Sequence, residues 1–352
     1  MYPYLFILSI SGLIALASIS FNLQKYQKNI LLFLFLMTSL FIGVRHEEIG
    51  PDWYTYKELF NNLSNFNFLH SITIGDPAYF GLLWLFRYFD LSIISVNVFF
   101  SFLTVGFFSK FCKEQELPYL AFFIGLPFLI IYTMNFPRQA AAMVIGGYSL
   151  LHILRGNKTR AFGWIFLAIL FHKTAILYLV FLFDKFTNVR PRNVILIVIS
   201  GTVIFYFFVL PSLAGYLMNF SILMKSNAAH IKGLVYLLPV FTYLIFYKII
   251  NSTLSLNEET LINRFCIICI ISYAALFSSD FLYNAIDRIY VYFLSFEIML
   301  FSTYIVRLIR KEQVIIYASL LIFYKFLLLY VWLEYSYNSS HFVPYSIHNI
   351  YK

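Results

Sequence analysis

The sequence predicts an all-α protein that crosses a membrane many times. Hydrophobic residues make up 61% of the 352-residue chain, and charged residues make up only 12%, about half the fraction that is usual in soluble domains. The mean hydropathy is +0.80. Inside a bilayer the backbone polar groups must pair within the chain, which favours helices. These values exclude a soluble enzyme, a disordered chain and a nucleic-acid-binding protein, and they predict a single polytopic domain over residues 1–352.

Transmembrane helices can be placed on apolar runs, because a spanning helix needs about 20 mostly apolar residues. The clearest runs are 3–20, 30–44, 92–111, 117–134, 138–154, 194–211, 233–250, 261–279, 288–306 and 314–333. Two less regular stretches are 77–89 and 161–183. Together they predict about 10–12 transmembrane helices.

Lysine and arginine residues predict the orientation, because they concentrate on the cytoplasmic side of membrane proteins. The groups that flank apolar runs are Lys25 and Lys28, Lys110 and Lys113, Arg155, Lys158 and Arg160, Lys185, Arg190 and Arg192, Lys248, and Arg307, Arg310 and Lys311. All of them fit the cytoplasmic side if 77–89 does not cross and 161–183 enters and leaves from that side. The segments then predicted to lie outside are 45–76, 135–138, 212–232, 280–288 and the tail from Glu334.

The stretch 161–184 is interrupted by His172 and Lys173. Ionisable residues inside a membrane are costly and mark functional sites by default, and a structural histidine that caps a helix break is the alternative. Two half-helices that meet at this pair would form a re-entrant hairpin with its tip deep in the protein. A single straight span is the alternative, and it would place Lys185 and Arg192 outside. We favour the hairpin because it preserves the charge bias.

The outer loop that follows the second apolar run is dense in polar and aromatic residues, and we expect it to contain a short helix. Arg45 begins this loop, on the side where positive residues are scarce. A Gly-Pro turn leads to Asp52, which suits a helix N-cap. Glu48 precedes the turn, and Tyr54 and Tyr56 follow it. An interfacial aromatic belt would explain only the aromatic residues, so the loop is a candidate functional site.

Two further arginines begin helices that run inward from the outer side. Arg138 lies beside the free N–H groups of a helix N-terminus, which together form an anion site; snorkelling of its long side chain is the alternative. Arg288 follows Asp287, and these two could form a purely structural pair. With Arg45, they place three guanidinium groups at the outer boundary, within reach of His172 at the hairpin tip. Because guanidinium groups bind phosphate through paired hydrogen bonds, we predict a phosphate or pyrophosphate site.

Four motifs occur in a characteristic order. They are Gly43-x-Arg45 with Gly50-Pro51-Asp52-x-x-x-Tyr56, then Pro137-Arg138-Gln139-x-Ala141, Phe171-His172-Lys173-Thr174-Ala175 and Asp287-Arg288-x-x-x-Tyr292-Phe293. This pattern resembles the EpsG-like branch of the Wzy-type bacterial O-antigen and capsule polymerases. The resemblance covers roughly residues 43–293, and the Phe-, Tyr- and Ile-rich composition is also similar. One departure is Asp76, because many relatives have Glu before the corresponding proline.

The resemblance implies a fold similar to the GT-C group and a glycosyltransferase reaction. A sugar hydroxyl of one lipid-linked repeat unit would attack the anomeric carbon of the growing glycan, and undecaprenyl pyrophosphate would leave. Arg45, Arg138 and Arg288 would bind that pyrophosphate.

The same resemblance implies a general base and a sugar site. His172 is the first choice for the base, Asp52 the second, and Glu48 stays open. The expected substrate-binding residues are Tyr54, Tyr56, Gln139 and Tyr292. No D-x-D motif occurs in a loop, so we predict metal-independent chemistry without a cofactor.

Two other functions compete with this prediction. A flippase or transporter for lipid-linked oligosaccharides would also need outward arginines, but transporters often show paired broken helices, and only one break stands out here. A membrane O-acetyltransferase fits three arginines less well. The polymerase would lie in the bacterial inner membrane with its site facing the periplasm. Its expected partners are undecaprenyl-pyrophosphate-linked repeat units and membrane lipid, with a chain-length regulator and a flippase as further candidates and no nucleic acid.

Overall fold

The computed structural model describes residues 1–21, 23–46, 48–182, 228–276 and 282–347. The predicted span 194–211 and most of the predicted outer loop 212–232 lie outside the described residues.

The described residues form helices joined by short connections. The helices are α1 (Tyr2–Ser20), α2 (Gln27–Gly43), α3 (Trp53–Asn62), α4 (Phe68–Ile74), α5 (Pro77–Tyr88), α6 (Ile93–Lys113), α7 (Pro118–Asn135), α8 (Pro137–Leu154), α9 (Lys158–Phe171), α10 (Ala228–Ile245), α11 (Tyr247–Asn251), α12 (Leu256–Ala275), α13 (Leu282–Tyr290), α14 (Leu294–Met299) and α15 (Val314–Tyr335). Short 3₁₀ helices lie at Gln24–Tyr26, Leu63–Asn65, Lys173–Leu182, Val291–Phe293, Val306–Leu308, Lys311–Gln313 and Tyr337–His341, and a π-helix lies at Leu300–Tyr304.

Several of these helices are long and apolar enough to cross a membrane. Within the described residues there are five, at Tyr2–Ser20, Ile93–Lys113, Pro118–Asn135, Ile286–Leu308 and Lys311–Tyr335. Shorter apolar helices lie at Gln27–Gly43, Lys173–Leu182 and Gly233–Ile245. The same residues contain no β-strand, only an isolated bridge between Arg45 and Ile347. The predicted all-α polytopic membrane fold is therefore confirmed.

Helices α7 and α8 form the centre of the bundle, and α1 and α15 lie at its outside. Most side chains of α7 and α8 are buried, whereas α15 exposes large apolar residues such as Leu320 and Phe323. Small residues in α8 allow neighbours to approach closely. At Gly146, for example, an added Cβ would overlap the ring of Tyr178.

At one end of the bundle, three segments that are far apart in the chain meet. The backbone N–H of His46 donates to the carbonyl of Ser346 at 2.9 Å, and that of Gly50 donates to the carbonyl of His341 at 2.9 Å. The turn between α7 and α8 packs on the same loop, through Met134. We call this end the site end. It gathers three of the segments that were predicted to lie outside the membrane.

The other end, which we call the opposite end, gathers residues that were predicted to be cytoplasmic. Arg307 makes ion pairs with Glu116 at 3.2 Å and with Glu258 at 3.0 Å. Arg155 pairs with Glu114 at the start of the connection between α6 and α7. The two ends thus separate the predicted outer and inner segments, while the direction in which each end faces stays a prediction.

The interruption at His172 is a break between two helices. Helix α9 ends at Phe171, and His172 has an extended backbone with φ −161° and ψ 122°. The 3₁₀ helix Lys173–Leu182 then packs along α8, where the Tyr178 hydroxyl donates to the carbonyl of Met143 at 3.1 Å. Its last turn lies beside α12, where Arg264 donates to the carbonyl of Phe181 at 2.8 Å. The chain therefore turns at His172, and its entry from the cytoplasm stays a prediction.

Candidate functional site

The site is built around the carboxylate of Asp76, which directly precedes α5. Pro77 occupies the first position of that helix, and the Asp76 side chain caps none of its N–H groups. Instead, Oδ2 accepts a hydrogen bond from Nη1 of Arg138 at 3.0 Å and lies 3.0 Å from Nδ1 of His172. Oδ1 accepts from the backbone N–H of Lys173 at 3.3 Å. One carboxylate therefore joins α5, α8 and the break after α9. We call Asp76, Arg138 and His172 the Asp76 cluster.

The charge of Asp76 determines how His172 is oriented. Burial alone would raise the pKa of Asp76, but its contacts with His172 and with the Arg138 guanidinium bring the pKa below its ordinary value of 3.8. Asp76 is therefore a carboxylate that accepts the Nδ1–H of His172, and this assignment fixes the tautomer. Nε2 of His172 is then the basic nitrogen, and within the described residues it makes no hydrogen bond.

Arg138 lies in an aromatic cage. Its guanidinium carbon is 5.7 Å from the ring centroid of Tyr56, 5.5 Å from that of Tyr79 and 5.9 Å from that of Phe80. These rings hold the planar cation by cation–π attraction while Asp76 holds one edge. The side chain keeps 30% exposure, so the guanidinium can still reach a second anion.

Asp52 and Arg288 lie next to this cluster. Asp52 is the N-cap residue of α3, as predicted, but its side chain makes no cap hydrogen bond. Burial raises the pKa of Asp52 above its ordinary value of 3.8, against the opposing charges of Arg138, Arg288 and His341. Arg288 is exposed, and its carbonyl accepts from Nε2 of Gln139 at 2.6 Å. Two predicted phosphate ligands, Arg138 and Arg288, therefore act on the same carboxyl group.

Arg45, the third predicted phosphate ligand, occupies a different environment. It is 3% exposed, and it donates to the carbonyls of Ile42 at 2.8 Å, Met134 at 2.8 Å and Ile49 at 3.3 Å. Trp53 covers its guanidinium at 5.8 Å. Because its donors are directed to the backbone, this geometry supports a role in holding the loop rather than the predicted contact with pyrophosphate.

The backbone at position 50 requires a glycine. Its φ of +106° lies in the left-handed region, and an added Cβ would lie 2.8 Å from the carbonyl oxygen of Met134. Arg45 donates to that same oxygen. The Gly-x-Arg and Gly-Pro-Asp motif is thus a compact loop that is fixed to the α7–α8 turn and places Asp52 beside Arg138.

The remaining predicted residues separate into two groups. Tyr56 is buried in the cage, Gln139 binds the Arg288 carbonyl, and the Tyr292 hydroxyl lies 2.6 Å from Oγ1 of Thr174, one residue after Lys173. Glu48 and Tyr54 lie at the surface, with 70% of the Glu48 side chain exposed, and Glu48 lies beside His46. Asp52, Tyr56, Arg138, Gln139, His172, Arg288 and Tyr292 are therefore brought together.

Sequence reasoning gave no role to Asp76 or Tyr79. An acidic residue before proline at the start of a helix usually indicates an N-cap, and that interpretation would have directed the carboxylate to the backbone of α5. The signal that the sequence did offer was the acidic residue that the family pattern places before this proline, where Asp76 stands in place of Glu.

Metal binding finds no support among the described residues. They contain no cluster of three or more His, Cys, Asp or Glu side chains that could hold an ion. Cys112, Cys266 and Cys269 are buried free thiols. Metal-independent chemistry stays a prediction.

Comparison with known proteins identifies a family. No curated protein and no solved structure matches the chain. Residues 28–347 match the EpsG family. This range covers nearly the whole chain, including Asp76 and each predicted site residue from Arg45 to Tyr292. The resemblance seen in the four motifs is therefore confirmed, and the chain belongs to the EpsG family.

Proposed function

We propose that this protein is a polysaccharide polymerase that transfers a growing glycan from undecaprenyl pyrophosphate to the next lipid-linked repeat unit. Membership of the EpsG family supports a membrane protein of polysaccharide biosynthesis with glycosyltransferase-type chemistry. The observation that carries the finer proposal is the Asp76 cluster. It places a carboxylate-oriented imidazole beside a partly exposed arginine, at the end of an apolar bundle.

The first chemical demand is to stabilise the leaving group. The bond between the anomeric carbon and the pyrophosphate oxygen breaks through an oxocarbenium-like state, and negative charge develops on that oxygen. Arg138 and Arg288 act on one space beside Asp52 and would stabilise this charge. Arg138 is preorganised, since Asp76 and three aromatic rings hold it before the substrate binds.

The second demand is to accept a proton from the attacking sugar hydroxyl. We assign this role to Nε2 of His172, because Asp76 holds the Nδ1–H and would stabilise the imidazolium that forms. Asp52 is the second candidate. If Asp52 accepted the proton, one negative charge near the two arginines would disappear as the pyrophosphate oxygen gained one. Glu48, the third candidate, is mostly exposed and is the weakest of the three.

The sugar is proposed to bind against the aromatic side of the site. Tyr56 faces Arg138 from within the cage. Tyr54, two residues away on the same helix, is exposed outside the cage and offers a separate ring for stacking on a sugar. Gln139 and Tyr292 are engaged in internal hydrogen bonds, so we assign them to positioning Arg288 and Thr174.

The proposed location is the bacterial inner membrane, with the site end facing the periplasm. The support is the charge bias, because the arginines and lysines predicted to be cytoplasmic include Arg155 and Arg307 at the opposite end. The lipid pyrophosphate would then enter at the membrane surface beside Arg138 and Arg288. A chain-length regulator and a flippase are proposed partners on grounds of the pathway chemistry alone.

The test is the polysaccharide pattern of cells that carry only the variant protein. We expect Arg138→Lys, Arg288→Lys and His172→Gln each to abolish the ladder of long chains while single repeat units are still displayed. Lysine keeps the charge but cannot form the bidentate hydrogen bonds that arginine makes with phosphate. Arg307→Lys, at the opposite end, is the matched control and should keep the ladder.

Each alternative gives a distinct pattern. Loss of all surface glycan, including the single repeat unit, would point to transport of the lipid-linked unit. A normal ladder that lacks only acetyl groups would point to an O-acetyltransferase. An unchanged ladder in the three variants would reject the site assignment.

A further inference from the structure

A buried ion pair lies in the middle of the bundle, away from the Asp76 cluster. Nζ of Lys325 is 2.6 Å from Oε1 of Glu297, and the two side chains are 0% and 1% exposed. Lys325 belongs to the outer helix α15 and points inward together with the other buried residues of that helix, Ala318 and Leu329. The ring of Phe128 on α7 lies 4.9 Å from Nζ. Two charges at this depth are costly unless they are paired.

The pair depends on one contact. Oε2 of Glu297 is buried and has no hydrogen-bond partner within the described residues. Lys325 is therefore the group that compensates the Glu297 charge. If Lys325 moved away, the buried Glu297 carboxylate would lose the contact that compensates its charge, at a large cost in free energy. The pair therefore favours one relative position of α15 and the helix that carries Glu297.

The helix that carries Glu297 is the irregular span Ile286–Leu308. A 3₁₀ turn at Val291–Phe293 precedes Glu297, and a π-helical turn at Leu300–Tyr304 follows it. The 3₁₀ turn is tighter than an α-helix and the π-helical turn is wider, so each changes the direction in which the following side chains point. A span with two such turns needs a fixed point to define its rotation, and Glu297 lies between them.

The site end of this span belongs to the candidate site. Arg288 acts on Asp52, and its carbonyl binds Gln139. The Tyr292 hydroxyl contacts Thr174 at 2.6 Å, next to the Lys173 N–H that Asp76 accepts. A rotation or a shift of the span would therefore displace Arg288 and Tyr292 together.

We propose that the Glu297–Lys325 ion pair is a positioning element that sets the rotation and depth of the span Ile286–Leu308, and thereby places Arg288 and Tyr292 in the site. The consequence for polymerisation rests on the proposed function. The placement of the span does not rest on the proposed function, and it can be measured without any substrate.

The geometry offers a direct reporter of that placement. A Cβ added to Gly147 on α8 would lie 3.6 Å from the Cβ of Ser295, two residues before Glu297, which is the spacing of a disulfide. In a protein whose Cys112, Cys266 and Cys269 are replaced by serine, the pair Gly147→Cys and Ser295→Cys should cross-link rapidly with a membrane-permeant oxidant. The control pair Gly81→Cys and Ile72→Cys links α4 to α5, where an added Cβ at position 81 lies 3.2 Å from Cγ2 of Ile72.

The ion pair is then changed in the background of each reporter. We expect Lys325→Met to slow the Gly147–Ser295 cross-link by about tenfold or more, because removing one partner of a buried pair shifts equilibria by at least this factor. The reversed pair, Glu297→Lys with Lys325→Glu, should restore most of the rate and of the polysaccharide ladder. The neutral pair, Glu297→Gln with Lys325→Met, leaves no unpaired charge in the membrane, so it should insert normally yet still cross-link more slowly than the wild type.

The outcomes separate the two proposals. An unchanged Gly147–Ser295 cross-link in the neutral pair would overturn the positioning role. A parallel loss in the control pair would also overturn it, because the ion pair would then stabilise the fold as a whole. If the Gly147–Ser295 cross-link falls and recovers as expected while the ladder never changes, the span is positioned as proposed and the proposed function of its residues fails.

Discussion

The ion clusters at the two ends of the bundle pair positive and negative groups in opposite proportions. At the opposite end one arginine, Arg307, faces two carboxylates, those of Glu116 and Glu258. At the site end one carboxylate, that of Asp76, accepts from Arg138 and the Lys173 N–H and lies in contact with His172. Arg307 is thus matched by two carboxylates, whereas the Asp76 carboxylate is matched by several donors. Of these two clusters, only the second contains a partly exposed arginine, Arg138, that pairs with a single carboxylate and can bind another anion.

Exposure differs between the ends as well. The Arg307 and Glu116 side chains are 32% and 50% exposed, so their ion pair is screened by solvent and contributes about 0–1 kcal/mol. Asp76 and His172 are each 8% exposed in their side chains, where an interaction is stronger and a missing partner costs more. The comparison predicts that equivalent substitutions at the two ends differ greatly in effect.

The largest difference is expected between Asp76→Asn and Glu116→Gln. Asparagine removes the charge that fixes the His172 tautomer and stabilises the imidazolium, so the polymerisation rate should fall by about 10²–10⁴-fold. Glu116→Gln should leave the rate close to that of the wild type. The measurement is glycan elongation by purified protein in liposomes with lipid-linked repeat units.

The combination with His172→Gln tests whether Asp76 acts through the imidazole. If it does, the double variant should be about as slow as the slower single variant, because both changes remove one function. Losses that multiply in the double variant would contradict this dependence, and so would an equal loss in Glu116→Gln.

Some of the site residues and helices could be predicted from the sequence. His172 could be predicted because an ionisable residue at membrane depth stands out in an apolar chain, and Arg138 because it begins a helix at the outer boundary beside free N–H groups. The apolar runs likewise predicted α1, α6 and α7, since length and hydropathy decide a spanning helix. The separation of the chain into two ends followed from the positions of Lys and Arg.

The sequence could not distinguish arginines that bind the chain from arginines that face a ligand. Arg45 and Arg138 both follow a helix boundary in the same kind of motif, but Arg45 donates to three carbonyls and Arg138 to a carboxylate. That difference depends on contacts with Met134 and Asp76, which are 89 and 62 residues away in the chain. Asp76 was missed for the same reason, because its partners come from other helices.

The second prediction compares the stability lost by substituting buried Arg45 with that lost by substituting an exposed arginine. Arg45→Lys removes a planar group that satisfies three buried carbonyls, so it should lower the free energy of unfolding by about 2–4 kcal/mol. The matched change Arg155→Lys, on an exposed side chain, should cost about 0–1 kcal/mol. Unfolding in mixed detergent micelles measures both.

The result also decides between the two roles of Arg45. A less stable Arg45→Lys protein that keeps the catalytic rate of its folded fraction supports the loop-holding role. A protein of normal stability that has lost affinity for the lipid pyrophosphate would instead establish the contact predicted from the sequence.

The smallest effect is expected at Asp52, the carboxyl group whose pKa the charges of Arg138 and Arg288 lower against the effect of burial. Because burial raises the pKa of Asp52 above 3.8, its proton is retained at a higher pH than that of an ordinary aspartic acid. As the pH rises through this raised value, the carboxylate forms and competes with pyrophosphate for the two arginines. KM should therefore increase with pH above 3.8, the ordinary pKa of an aspartic acid, while Asp76, with its lowered pKa, stays ionised throughout.

Asp52→Asn separates competition from catalysis. If His172 is the base, the variant should lower KM by about two- to fivefold, the size of a partly exposed charge interaction, and should remove the pH dependence of KM while kcat changes little. If Asp52 is the base, kcat should fall by about 10²–10⁴-fold instead. The split matters for the comparison between the ends, because the charges of Arg138 and Arg288 act on Asp52 and would also act on a bound anion. Glu116 and Glu258 at the opposite end make ion pairs with Arg307, whereas Asp52 would compete for Arg138 and Arg288 only while it is ionised.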